Sequence, residues 1–562
     1  MKILLKNGFV LNVFTDSVES ADVLLENDKI IGVGHYESSD ADVVEDVSGK
    51  YVVPGFIDGH IHIESTMLSP SQLARICVPH GTTTIVSDPH EIANVCGVDG
   101  IRYMICASRN IPLNVYFNLP SCVPATNFDE SGADLDAQAL SELYSEERVL
   151  GLAEMMNYPG VIYGDEGVLA KVRDARSKGR GIDGHAPMLS GKELDRYISA
   201  GIQSDHECSS IEEAKEKLSK GQWIMIREGT AAKNLRDLLP LFDDPYNRRC
   251  LLVTDDRHPA DIANEGHIDN IIRQAMGHSK SAVVAIRMAT IQAAQCFGLR
   301  YVGAIAPAYK ADILILNDLN TVDVCDVYLG GNKVVENKKM IDFAPPQIPK
   351  ELNDKVYNSF CTQDISASSF YLEPKSRRCR VIGVIPGQIV TDELVFDINW
   401  DKNNGIDVGR DILKLAVIER HRGTGHVGVG FINGIGLRSG AIASSVSHDS
   451  HNIIVIGTNE EDMAIAARHI SSVGGNVVVV NGEIVAEMPL PIAGLMTDRS
   501  AEEIAMANEF VRKTVYDYGV FEHVEPFMNM AFVSLSVIPK LKMTTQGLVD
   551  VDAWQRVSLY LD

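Results

Sequence analysis

Apolar positions open the chain in short runs. KILLKNGFVLNV and ADVLLENDKIIGVG are strand-like stretches separated by Asn/Asp turns within the first fifty residues. About ten residues of strand pattern per element cannot build a core alone. Matching runs, GAIAPAYKADILIL and VYLGGNKVV, return near residues 303–340. One small β-domain is therefore expected from both ends of a long insertion, residues 1–53 and 301–341. Between them eight apolar runs recur: VVPGFIDGHIHI, TTTIVSD, LNVYFNLP, RVLGLAEM, GIDGHA, AGIQSDHE, QWIMIREG and CLLVTDDR. The segments separating them, such as EEAKEKLSK and AKVRDARSKG, have helix composition. Strands alternating with helices predict parallel strands, and eight such units over about 250 residues predict a (β/α)8 TIM-type barrel over 54–300. An open doubly wound sheet is the alternative.

The prolines of DFAPPQIPKELND mark a linker, and a further α/β region runs from 350 to 562. There VVVV-Asn481-Gly482-EIVAEM predicts a hairpin with a type I′ turn. Thr458…Glu461 and Ser500…Glu503 predict capping boxes, and Ile504, Val511 and Val515 one apolar helix face.

Composition narrows the function classes. The chain has 562 residues, 45% apolar and 23% charged, which is ordinary for globular proteins and suits about three domains. A net charge of −25 argues against a nucleic-acid partner, and the basic run at Lys375–Arg378 reads as solvated surface. No run approaches the roughly 18 apolar residues of a membrane helix, and the N-terminus lacks a signal-peptide core. The ten cysteines are scattered with no Cys-x-x-Cys pair, as expected of reduced thiols in the cytoplasm.

Polar residues sit at the C-terminal ends of the eight runs: His60 and His62, Asp88, Glu154, His185, His206, Glu228 and Asp255. Barrel enzymes keep their chemistry at those ends. His60 and His62 are two apart, so on a strand both imidazoles reach one point. A lone His-x-His is more often structural. His185, His206 and Asp255 at later strand ends add the nitrogen and oxygen donors of a divalent-metal site. Glu154 can give one oxygen to each of two cations, or can instead orient a histidine. Two metals sharing a water would generate a hydroxide near neutral pH, implying hydrolytic attack at an sp2 carbon. Asp255 can receive the water's proton.

The runs PGFIDGHIHIES, SDPHEIANV, AEMMNYPGV, DGHAP, SDHE, REGT and TDDR resemble the amidohydrolase superfamily, and within it the adenine deaminases of bacterial type. The resemblance extends through GFINGIGLRSGAIASSVSHDSHNIIVIG. It implies a β-sandwich for the split domain and an adenine-deaminase-type domain over 350–562. It further implies that His60, His62 and Asp255 serve one metal, His185 and His206 the second, and that Glu154 bridges them, where most binuclear relatives use a carboxylated lysine. Manganese or iron is typical of such a family, and zinc takes the same donors. The implied reaction is adenine plus water to hypoxanthine and ammonia. A metal-bound hydroxide attacks, Asp255 passes the proton to the leaving amine, and a second acid protonates the ring.

Glu91, Glu207 and Glu228 are the candidates for that acid, with loop capping or metal-site support as the alternative for each. Asp88, His90 and Arg227 are candidates for purine or supporting contacts. Asp256 and Arg257 are expected to pair locally. Ser447-His448-Asp449-Ser450-His451 reads as a structural loop rather than a nucleophilic triad. The rival functions are another amidohydrolase acting on a cyclic amide or a different aminopurine, and a non-catalytic metal-stabilised scaffold. The expected partners are adenine and water, with a homo-oligomeric state and neither nucleic acid nor membrane.

Overall fold

The computed structural model describes residues 1–230, 232–386 and 388–561. The chain divides into two compact units. One comprises Met1–Pro89, Met104–Ser121 and Asp136–Gln347; the other comprises His90–Tyr103, Cys122–Leu135 and Ile348–Asp562.

In the first unit, both ends of the insertion join one sheet of nine strands among the described residues. Ile313–Leu316 runs antiparallel to Tyr51–Pro54, with Ile313 opposite Pro54 and Leu316 opposite Tyr51. Leu5, Val23, Ile30, Val52, Ile313, Ile315 and Tyr328 form its buried core. Neither terminal piece has enough apolar surface to do this alone, which explains why residues 260 apart in sequence share a sheet.

The eight apolar runs are all strands: β1 (Phe56–Ile61), β2 (Thr82–Ser87), β3 (Asn114–Leu119), β4 (Val149–Met155), β5 (Gly181–Gly184), β6 (Ser204–Asp205), β7 (Trp223–Arg227) and β8 (Cys250–Val253). Their pairings are parallel, in the orders β5-β4-β3-β2-β1 and β6-β7-β8. β1, β2, β7 and β8 are buried at every position, as strands covered on both faces must be. The parallel bridge Ile61–Asp255 and the hydrogen bond from Asp255 N to His60 O, 2.9 Å, bring the last strand back to the first. The arrangement is TIM-barrel-like.

The second unit is built on an eight-stranded sheet, antiparallel except where Arg378–Val384 meets Val427–Asn433. Helix Glu460–Val473 lays Met463, Ala466, Ala467 and Ile470 into its core. Asn481 and Gly482 both have positive φ, 52° and 82°, and Val480 lies opposite Glu483, the I′ hairpin that Asn-Gly predicts. The box at Ser500 and Glu503 forms as expected, and Ile504, Val511 and Val515 are buried. The other is displaced by one residue: Asn459, not Thr458, caps the helix by accepting from Asp462 N. The Thr458 hydroxyl is engaged instead with Gly440 O at 3.0 Å. No helix among the described residues is long and apolar enough to cross a membrane.

Candidate metal centre

The six strand-end residues expected to bind metal meet in the first unit. His62 Nε2 lies 3.1 Å from Asp255 Oδ1, and His60 Nε2 lies 3.6 Å from the same oxygen. His62 Nδ1 donates to Asp88 O at 3.0 Å, which leaves Nε2 to offer its lone pair to the cluster. His60 Nε2 is buried and has no hydrogen-bond partner among the described residues. A buried imidazole nitrogen left in this state costs free energy unless something else fills its coordination. A cation is the group that fits.

Glu154 divides its carboxylate. Oε1 faces His62 Nε2 at 3.4 Å, while Oε2 lies 2.7 Å from His185 Nδ1 and 3.2 Å from His206 Nε2. Two donor sets therefore share one carboxylate. Ser121 Oγ donates to Glu154 O at 2.5 Å, and the Tyr197 hydroxyl joins β4 to β5 by donating to Met155 O and accepting from His185 N. Asp88 also offers an oxygen within 4.8 Å of the donor atoms of His62 and Glu154. Burial pushes the carboxyls of Glu154 and Asp255 upward. The histidines around Glu154, and Arg227 with His60 and His62 around Asp255, outweigh it and hold both well below the usual range. In return, His62, His185 and His206 hold positive charge more tightly than an ordinary histidine, despite burial. The donors N, N, O and O around a shared carboxylate are those of divalent first-row metals.

Arg227 and Glu207 stand beside this centre. Arg227 Nη1 donates to Asp255 Oδ2 at 2.6 Å and to Glu207 Oε1, and Nη2 reaches Glu207 Oε2 at 3.0 Å. Glu207 Oε1 is also 3.2 Å from His206 Nε2 and 3.6 Å from His185 Nδ1. Burial alone would raise its pKa, but the His185 and Arg227 charges keep Glu207 ionised. Asp255 itself adopts φ = 60°, a strained value for a non-glycine residue that recurs at functional sites.

Of the other sequence candidates, Glu228 acts locally, and His90 and Glu91 belong to the second unit. Glu228 Oε2 accepts from Leu235 N at 3.4 Å, within its own loop. His90 and Glu91 begin helix His90–Ala107, and both fall in the second unit. There His90 Nε2 is 3.9 Å from Asp449 Oδ1, and Glu91 Oε2 is 3.4 Å from His451 Nε2. His451 Nδ1 accepts from Ser447 N at 3.2 Å, so its Nε2 carries the proton and faces Glu91 as a donor. Ser447 Oγ is bonded to Ser534 Oγ rather than to a histidine, which leaves no nucleophile–base pair. The expected Asp256–Arg257 pair does not form. Arg257 is drawn to Glu265 at 2.9 Å and Asp256 takes the Ser65 hydroxyl at 2.5 Å, because adjacent residues project apart.

Comparison with known proteins places the chain in a family. Residues 51–334 match the model of the amidohydrolase family, and residues 388–555 match the adenine deaminase C-terminal domain. Adenine deaminase 2 of Carboxydothermus hydrogenoformans is 47% identical over 562 residues, covering 100% of this chain and 97% of that one. The adenine deaminase of Clostridium acetobutylicum is 45% identical over 98% of this chain and 96% of its own. That of Desulfatibacillum aliphaticivorans is 44% identical over 99% and 97%. With family matches on both parts of the chain and relatives this close along its whole length, the chain belongs to the amidohydrolase family and, within it, to the adenine deaminases.

Proposed function

We propose that this chain hydrolyses adenine to hypoxanthine and ammonia at a binuclear centre. The observation that carries the reading is the divided Glu154 carboxylate, one oxygen toward His62 and the other toward His185 and His206. His60, His62 and Asp255 would hold one divalent ion and His185 and His206 the other, with Glu154 between them. Manganese or iron is our assignment, and zinc suits the same donors. Such a pair of ions supplies a water of lowered pKa as the nucleophile.

The protein's own residues would do the rest. Arg227 fixes one Asp255 oxygen, so the carboxylate keeps a single orientation and, as general base, would take a proton from the attacking water. Asp255 then returns that proton to the departing amine. Asp88, Glu207, Arg227 and Glu228 are placed by us around the substrate or behind the ligands. We infer that the eight parallel strands close into a (β/α)8 barrel over 54–300. Residues 1–53 and 301–341 would form a β-sandwich, and 350–562 the adenine-deaminase-type domain. The free cysteines support a cytoplasmic location, and a homo-oligomer is our expectation for the assembly.

One preparation tests the proposal: metal analysis together with adenine turnover followed by ultraviolet absorbance. Two equivalents of metal with adenine consumed is the expected result, with Asp255→Asn losing turnover while retaining most of its metal. Full metal content without any conversion of adenine would exclude the substrate.

A further inference from the structure

The tetrapeptide Ile-Asp-Gly-His occurs twice, at 57–60 and at 182–185. In both copies the histidine points into the metal centre and the aspartate two residues earlier is buried, Asp58 at 0% and Asp183 at 3% exposure. Both carboxylates reach across to the neighbouring strand and accept a hydroxyl there. Asp58 Oδ2 accepts from Thr254 Oγ1 at 2.5 Å, and Asp183 Oδ1 from Ser204 Oγ at 2.8 Å. Thr254 directly precedes Asp255, and Ser204 lies two residues before His206.

The positions are not arbitrary. The parallel ladders among the described residues are interrupted at two places, between β5 and β6 and between β8 and β1. Asp183 spans the first gap and Asp58 the second. Asp58 Oδ1 also accepts the backbone N–H of Thr254 (3.1 Å) and of His60 (3.2 Å), so one carboxylate holds both ligand-bearing segments. Asp183 Oδ2 accepts from Asn118 Nδ2 at 2.6 Å, tying in β3. In the second copy the glycine between Asp and His is needed for the close approach, because a Cβ there meets backbone. A Cβ on Gly184 would stand 2.2 Å from Ser204 O, and one on Gly59 would stand 2.4 Å from Leu251 Cδ1.

We propose that Asp58 and Asp183 are positioning residues, each clamping one ligand pair where the continuous strand ladder gives way to isolated backbone bonds, Asp255 N to His60 O and Gln203 N to Ile182 O, both 2.9 Å: Asp58 for His60 with Asp255, Asp183 for His185 with His206. The inference rests on the ligand assignment made above. A clamp of this kind acts selectively, because each carboxylate bears on one donor set only. Groups that orient metal ligands are worth about 10–100-fold in metal affinity.

The test is Mn2+ titration of the metal-depleted full-length protein, with stoichiometry by elemental analysis and folding followed by thermal melting. Asp58→Ala and Asp183→Ala should each weaken one of the two equivalents by about 10–100-fold and spare the other. The Asp→Asn forms should restore only part of the affinity, since the amide keeps one accepting oxygen where the carboxylate uses two. Thr254→Val and Ser204→Ala remove the same bonds from the other side if an alanine variant does not fold. Asp58→Ala added to His60→Ala should leave the remaining Mn2+ in place, whereas added to His185→Ala it should remove it. Asp183→Ala should show the reverse. Two equivalents bound at wild-type affinity in both alanine variants, or equal weakening of both, would overturn the clamp. Retention of both equivalents by His60→Ala and His185→Ala would instead break the ligand assignment, and the clamp with it.

Discussion

Replacement of Arg227 by methionine is the most discriminating perturbation of the centre. Arg227 is buried at 9% exposure and carries three hydrogen bonds to two carboxylates. Each charge-assisted bond is worth about 1.5–3 kcal/mol, but desolvation of the guanidinium offsets much of that sum. The relevant quantity is the cost of leaving Asp255 and Glu207 buried without their counter-charge, about 3–5 kcal/mol when one partner of a buried pair is removed. In metal-depleted protein the full loss should appear as a drop of several degrees in Tm. In metal-loaded protein the cations offset the same carboxylates, so the drop should be smaller. Catalysis should suffer in both senses of Asp255's role. The base remains but loses its fixed orientation, which places the fall in kcat near the low end of general-base contributions, about 100-fold. Arg227→Lys should recover only part, because an ammonium cannot hold two carboxylates with the guanidinium's geometry. The assay is adenine turnover and thermal melting on the same samples, with and without metal. Turnover within about threefold of wild type, equivalent to roughly 0.6 kcal/mol, with both metals bound would refute the orienting role.

Two further outcomes follow from the geometry. Glu154→Gln exchanges a divided carboxylate for a neutral amide, so metal content should fall from two equivalents to one or none; two retained equivalents would exclude bridging. Lys542 is wholly buried and donates to Ile389 O and Phe532 O, and burial pulls its pKa from 10.5 down to about 7. Between pH 7 and 10.5 the unfolded chain then binds the extra proton, so stability rises with pH across that window. The penalty is fully present below about pH 7 and amounts to about 5 kcal/mol for a shift of about 3.5 units. Denaturant unfolding of wild type against Lys542→Met should therefore diverge with pH, and parallel profiles would contradict the shift.

Much of this protein is legible in its residue pattern, because strand runs and their terminal polar residues are local properties. All eight runs between residues 54 and 300 are strands, and the six expected ligands stand at their ends and converge. Period-two strand geometry by itself puts His60 and His62 on one side. Local signals failed where two choices were equally good in sequence. Thr458…Glu461 and Asn459…Asp462 both spell a helix start, and only the Gly440 carbonyl, arriving from another strand, decides between them.

Tertiary structure alone settled the long-range polar geometry. Which carboxylates face the cluster depends on what competes for them: Glu228 turns to Leu235, while Glu207 is drawn to Arg227 and two histidines. Arg257 left its neighbour for Glu265 for the same reason. Residues 90–103 and 122–135 belong to the second unit although they lie in sequence among the eight parallel strands. The Ile-Asp-Gly-His tetrapeptide stands twice in the sequence, but what it does depends on where the ladders stop. Sequence determined the elements and the donor types, since those follow from spacing along one chain. The fold decided the pairings, because hydrogen bonds and charges between segments hundreds of residues apart have no signature until those segments meet.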